Sequence, residues 1–159
     1  MNFYKLTASG LGTGYAPVAP GTAGATLGTV LFYLFHLVLI KFHVSWFLIL
    51  VFQLAAVLLV LTWGTYCIKK VHLEWNHDAQ TIVIDEIAGV WIASLALPFH
   101  WTYYLYALIL FRIFDIFKPL FIRRIDNLKT DWSVMLDDVV AGIYALIALH
   151  LLLFFNVLS

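Results

Sequence analysis

Charge is what this sequence has least of. Only 11% of its 159 residues are charged, whereas a soluble domain carries about a quarter. Hydrophobic residues make up 64%, and the mean hydropathy is +0.96. A water-soluble fold of this length has no way to hide so much apolar surface, so lipid is its economical solvent. Lysine and arginine together number 9, as do aspartate and glutamate, and a formal net charge of zero argues against nucleic acid as a partner. Cysteine is nearly missing. The single Cys67 excludes an internal disulfide, and its apolar setting reads as packing. Residues 1–22 lack an apolar core segment, so no secretory signal is expected. Long low-complexity linkers are absent too, and the length suits one domain over 1–159.

What the chain does have is apolar runs of membrane length. A helix needs about 20 apolar residues to cross the hydrocarbon core, with a range of roughly 17–25. Five stretches reach or approach that: about 23–40, 46–67, 82–98, 101–118 and 138–157. The expectation is an all-α, polytopic membrane bundle of about five hydrophobic helices. Pro98–Trp101 is so short a break that the third and fourth would form a helical hairpin.

Placing the N-terminus in the cytoplasm puts Lys5, Lys69, Lys70, Lys118, Arg123, Arg124 and Lys129 inside and leaves only Lys41 outside. The positive-inside rule selects that topology. The acids divide the same way, which the rule does not require. Glu74, Asp78, Asp85, Glu86, Asp115, Asp126, Asp131, Asp137 and Asp138 all fall at the inner face. His36, His43, His100 and His150 map to the outer side, where they read as interfacial, as do many of the tryptophans and tyrosines.

Several acids sit inside helix ends. Asp85 and Glu86 open the third stretch, Asp137 and Asp138 open the fifth, and Arg112 and Asp115 share a face of the fourth. An acid at a helix start gains only about 0.3–1 kcal/mol from the dipole, and a lone one often just marks the interface. That reading suffices for Glu74, Asp78 and Asp131 as solvated loop charges. It does not account for two adjacent acid pairs plus Arg112 and Asp115, because charges at membrane depth usually face a bundle interior or cavity. Gly89, Ala93, Ala141 and Ala145 are small enough to let helices pack closely and draw the pairs together. Neighbouring helical residues point about 100° apart, so one acid of a pair can face the centre while the other makes a flanking contact.

Residues 10–24 hold five glycines and two prolines just before the first run. Pro17 and Pro20 stiffen the entry, the glycines permit close backbone approach to a ligand, and Thr22 is a candidate cap. Free backbone N–H groups at a helix start bind phosphate. The spacing Gly10-x-Gly12-x-Gly14 is not a dinucleotide fingerprint, since no strand precedes it.

Carboxylates from several helices suit a hard divalent cation. Magnesium prefers oxygen ligands and binds through one or two carboxylates plus substrate phosphate. Arg112 and Lys118 are placed to hold phosphate oxygens. Acids, bases and a metal at the interface point to phosphoryl chemistry on a lipid phosphate. Other routes lack their motifs. There is no Asp-x-Asp for an aspartyl nucleophile, no Cys-x5-Arg loop, no Ser-Gly-His triplet, and no Asp-Gly-x2-Ala-Arg signature of a headgroup transferase.

Four blocks now stand out in order: Gly-Thr-Gly-Tyr-Ala-Pro-Val-Ala-Pro-Gly-Thr (12–22), Ile-Val-Ile-Asp-Glu-Ile-Ala-Gly (82–89), Phe-Arg-Ile-Phe-Asp-Ile-Phe-Lys-Pro (111–119) and Met-Leu-Asp-Asp-Val-Val-Ala-Gly (135–142). In these the chain resembles the phosphatidylglycerophosphatase A family over nearly its whole length. It departs after the lysine, where Lys118-Pro119 runs into Leu120-Phe121-Ile122 instead of the family's frequent Pro-x-Pro-Ile. The resemblance implies hydrolysis of phosphatidylglycerophosphate to phosphatidylglycerol and inorganic phosphate, magnesium dependence, an all-α fold and the bacterial inner membrane. The catalytic set is then Asp85, Glu86, Arg112, Asp115, Asp137 and Asp138. Of these Asp85, Glu86, Asp137 and Asp138 are the magnesium ligands, with Asp115 orienting Arg112 or joining the metal shell. Gly21, Thr22 and Lys118 contact phosphate or glycerol. A small transporter using the inner-face acids as a cation site is the rival, and a structural subunit without chemistry is a third reading. Neither midplane acids nor clearly broken helices favour the transporter.

Overall fold

The computed structural model describes residues 2–72, 75, 80–119, 122 and 131–158, with the backbone alone for 131–133. Among these there are no strands. Six α-helices follow one another: α1 (Phe3–Ala8), α2 (Pro20–Lys41), α3 (Trp46–Val71), α4 (Ile84–Ala93), α5 (Trp101–Phe117) and α6 (Asp131–Phe154). A single 3-10 turn, Thr13–Tyr15, links α1 to α2. Three segments are long and apolar enough to cross a membrane: Pro20–Lys41, Trp46–Val71 and Val134–Phe154. Glu74, Asp78, Asp126, Arg123, Arg124, Lys129 and the Leu120-Phe121 departure lie outside the described residues, as does the side chain of Asp131.

The apolar run 82–98 does not become one long helix. α4 has 10 residues, a length of about 15 Å against roughly 30 Å of hydrocarbon. It ends because the chain turns back before Pro98. Ala96 takes a left-handed φ of 56°, and its N–H donates to Gln53 Oε1 at 3.2 Å. A buried chain reversal is tolerated at such depth only when its polar groups find partners, and Gln53 on α3, 1% exposed, supplies one.

α4 is the centre of the bundle. Eight of its residues are buried, Asp85 among them, and it packs chiefly against α6 and α2. Small residues make this possible, because lipid provides no hydrophobic drive between helices and close contact must do the work. On α2 the buried positions Gly21, Gly24, Ala25, Gly28, Phe32 and His36 recur at helical spacing. Trp91 of α4 reaches across to donate to the Gly28 carbonyl at 2.8 Å. α3 buries Ile49, Gln53, Val57, Gly64 and Ile68 and exposes Val51, Leu54, Leu58 and Leu59 on its outer face.

The two ends of the bundle differ. One carries a buried polar network in which His36 Nδ1 bonds Tyr104 Oη and Gln53 Nε2 approaches His36 Nδ1 at 3.4 Å. His36 is therefore a core residue and not an interfacial one, since the 6%-exposed ring finds its partners inside. His43 and His100 are exposed. The other end gathers the starts of α2, α4 and α6 and the ends of α3 and α5. α1 lies against α3 there through Tyr4, which packs on Trp63 and Tyr66. Cys67 is fully buried nearby, as its packing role requires.

Candidate active site

Two glycines set the spacing of the acids. A β-carbon at Gly142 of α6 would overlap the carbonyl oxygen of Gly89 on α4, and one at Gly89 would overlap the Phe111 ring and lie 2.8 Å from the Asp138 carbonyl oxygen. Ala93, Ala141 and Ala145 are fully buried along the same interface. The two helices therefore cross nearly backbone to backbone, one turn beyond their acidic starts.

That crossing brings Asp85, Glu86 and Asp138 together. Each offers a carboxylate oxygen, and the three oxygens lie within 4.8 Å of one another. Asp85 and Asp138 are 7% and 4% exposed. Asp85 Oδ1 accepts the Glu86 N–H at 3.1 Å, the usual way an acid in a first turn satisfies a free amide. Asp137 points elsewhere. It accepts from Lys118 Nζ at 2.8 Å and stands outside the group of three. The α6 pair is thus split, one acid central and one flanking, as neighbours 100° apart on a helix must be. On α4 both acids face the centre.

Arg112 closes the other side. Its Nη1 donates to Asp115 Oδ2 at 2.5 Å and stands 4.0 Å from Glu86 Oε1. The residues are one turn apart on α5, so Asp115 holds the guanidinium against Glu86. Arg112 Nε and Glu86 Oε2 are buried and have no hydrogen-bond partner among the described residues. Buried polar atoms are nearly always satisfied, and a pair left over at one place marks where a ligand belongs.

The glycine-rich stretch folds onto this centre. The Val83 N–H donates to Ala8 O at 2.9 Å, and a β-carbon at Gly14 would overlap Thr81 O. These close approaches are to the chain's own 81–83 segment, not to a ligand. Gly21 is different. A β-carbon there would overlap Glu86 Oε1 and lie 3.3 Å from Arg112 Nη1. Thr22 does not cap the helix. The cap position is Ala19, in a left-handed conformation with φ 49°, and Pro20 starts the helix. Pro is suited to that first position because its missing N–H is not needed. The first helical bond runs from Ala23 N–H to Ala19 O at 3.1 Å, so the amides of Gly21 and Thr22 precede it. Thr22 itself is exposed.

Lys118 ends α5 in a left-handed conformation with φ 43°, which costs a non-glycine residue about 1–2 kcal/mol. Its N–H donates to Phe114 O at 2.9 Å, and the reversal sends its side chain to Asp137. Five carboxylates, those of Asp85, Glu86, Asp115, Asp137 and Asp138, thus accompany two cations, Arg112 and Lys118. The excess is negative and concentrated where three oxygens meet, an oxygen-only donor set that suits a hard divalent cation.

Comparison with known proteins bears on the same residues. The family model described as phosphatidylglycerophosphatase A matches residues 6–153. A Bacteroides thetaiotaomicron protein named "Putative phosphatidylinositol-3-phosphatase" is 40% identical over 146 residues, covering 89% of this chain and 88% of its own. The phosphatidylglycerophosphatase A of Haemophilus influenzae is 39% identical over 151 residues, 92% of this chain and 86% of its own. That of Escherichia coli is 33% identical over 145 residues, 89% and 78%. No solved structure matches. The match takes in all four blocks that meet at these helix ends, and the chain belongs to the phosphatidylglycerophosphatase A family.

Proposed function

We propose that this protein hydrolyses phosphatidylglycerophosphate to phosphatidylglycerol and inorganic phosphate, with magnesium, at the cytoplasmic face of the bacterial inner membrane. The observation that carries the reading is the group of three carboxylate oxygens within 4.8 Å, set beside Arg112. Family membership supports the reaction class, and the lysines support the orientation. Lys69, Lys70 and Lys118 lie at the acidic end, and Lys41 at the other. In this reading α2, α3, α5 and α6 cross the membrane and α4 enters it part way, giving five embedded helices.

Asp85, Glu86 and Asp138 are the residues to hold magnesium. The donor set fits it, and Glu86 Oε2, buried without a hydrogen-bond partner among the described residues, is the kind of oxygen a hard cation satisfies. Bound there, magnesium offsets the carboxylate repulsion and stabilises charge on the phosphoryl oxygens. Arg112, oriented by Asp115, presents its guanidinium to the phosphate. The amides of Gly21 and Thr22, at the positive end of the α2 dipole, take further phosphate or glycerol oxygens. Lys118 keeps Asp137 neutralised at the rim. The reaction breaks the bond between phosphorus and the glycerol oxygen. A water oxygen ends on phosphate, and a proton ends on the glycerol hydroxyl.

The test is phosphate release by the purified protein in detergent. Phosphatidylglycerophosphate should be hydrolysed with magnesium and left intact with chelator, and Asp85→Asn and Asp138→Asn should each abolish turnover. Full activity in both variants would sink the proposed site. Phosphatidylinositol 3-phosphate belongs in the same assay because of the 40% identical relative's name. Its preferential hydrolysis would move the substrate to the inositol lipids while leaving the chemistry in place.

A further inference from the structure

An apolar groove of about 440 Å³ lies between α5 and α6, lined by Phe114, Pro119, Tyr144, Ile147, Ala148 and Leu151. Its size falls in the range of small-ligand sites, roughly 300–1,000 Å³. We infer that this groove seats an acyl chain of the lipid whose phosphate is bound at the carboxylate site. The inference rests on the lipid-phosphatase reading above and names the substrate's second point of attachment.

Continuity with the polar site argues for that occupant. Phe114 stands between Arg112 and Asp115 in sequence, and Pro119 directly follows Lys118. The Lys118 N–H is bonded to the Phe114 carbonyl while its ammonium reaches Asp137. One short piece of chain therefore builds both the polar rim of the site and the head of the groove. The Phe114 ring meets the Tyr144 ring edge-on at 5.8 Å. From there Tyr144, Ile147, Ala148 and Leu151 follow one stripe of α6, running about 10 Å away from the acids. Ile147 and Leu151 are 52% and 51% exposed, so the groove opens sideways to the bilayer, and Ala148 is its small residue between large ones.

Any furrow facing lipid will hold some hydrocarbon. A chain tethered to a phosphomonoester differs because the residues proposed to bind its phosphate stand at the groove's head. That continuity predicts selectivity by headgroup for a purely apolar surface.

The probe is a phosphatidic acid, itself a lipid phosphomonoester, with a diazirine in mid-chain. A phosphatidylcholine with the same chain is the comparison. Both are photolysed with the full chain in nanodiscs, and the adducts are mapped by mass spectrometry. Labelling of Tyr144–Leu151 should be several-fold stronger with the phosphomonoester lipid. Equal labelling by both would overturn the inference. A second measurement fills the groove. Ala148→Phe should raise KM for long-chain phosphatidylglycerophosphate roughly tenfold relative to KM for the dihexanoyl substrate. Leu59→Phe, on the outer face of α3, should leave that ratio unchanged. A ratio unmoved by Ala148→Phe counts against the groove. Labelling needs no turnover, so the two failures separate. Selective labelling without phosphate release removes the phosphatase reading, and phosphate release with unselective labelling removes the groove.

Discussion

The carbonyl oxygen of Gly89 rests against the α-carbon of Gly142, leaving no room for a β-carbon. This contact sets the distance between α4 and α6 and hence between Asp138 and the two acids of α4. Gly142→Ala must push the helices apart, and overpacking of this kind costs about 1–3 kcal/mol. Thermal unfolding in detergent should show a lower midpoint, together with weaker magnesium activation. Ile143→Ala, at an exposed neighbour, should change neither. A Gly142→Ala protein that melts with the wild type would contradict the account.

Gly21 presses on Glu86 and Arg112 from the opposite side. Gly21→Ala should displace both without unfolding the helix, because alanine is a better helix former than glycine. Displacement of about 1 Å can cost a hundredfold in rate, so kcat/KM should fall by roughly that factor while the melting midpoint holds. Unchanged kinetics would mean that Glu86 and Arg112 do not act from these positions.

Arg112 is the group most exposed to a subtle substitution. Arg112→Lys keeps the charge but loses the planar fork that Asp115 holds. Loss of a positioned donor to a developing charge costs about 10²–10³ in turnover. The expected result is a fall of at least roughly a hundredfold in kcat. Asp115→Asn should give a smaller fall, and Arg112→Lys combined with Asp115→Asn little more than Arg112→Lys alone. Additive losses would show that Asp115 has a role of its own.

Lys118 and Asp137 lend themselves to a double-mutant cycle. Groups in direct contact couple by about 0.5–3 kcal/mol. Lys118→Met and Asp137→Leu should each destabilise the fold, and the double variant should cost less than the sum of the two. Strict additivity in the unfolding midpoint would mean that the 2.8 Å contact contributes no stability.

At the far end of the bundle, Gln53 should matter for stability and not for chemistry. Gln53→Leu removes the partner of the Ala96 N–H and of His36. Interhelical hydrogen bonds of this kind average about 0.6 kcal/mol in membranes, with a maximum near 1.7. A lowered melting midpoint with unchanged kcat is expected, and loss of kcat would tie this network to the reaction.

Much of the site was legible because its determinants are local. Acids at helix starts, Arg112 and Asp115 one turn apart, and small residues at interfacial spacing are all written in the sequence. What was not legible depends on distant neighbours. From Ile87 to Leu97 the run is apolar apart from Ser94, so hydropathy carries no sign that the helix stops at Ala93. The reversal that follows is held by Gln53, forty-three residues upstream of its partner Ala96. Asp137 reads as Asp138's equal until Lys118 is seen beside it. Thr22 reads as a cap because threonine is a common one, whereas the cap position is the left-handed Ala19, which offers no side-chain cap. The glycines at 10 and 14 look ligand-facing in sequence, yet they accommodate the chain's own segment before α4.

The shortness of α4 also bears on how the protein is made. Ten residues offer too little apolar length to partition stably into lipid alone, and two acids at the start make that worse. α2 is already in place when α4 emerges from the ribosome, but α6 is not. The central helix must therefore wait, half covered, for the segment synthesised last among the described helices. A chain cut before Asp131 would leave Asp85 and Glu86 without their opposing helix, and the membrane's quality-control proteases should find it first at α4.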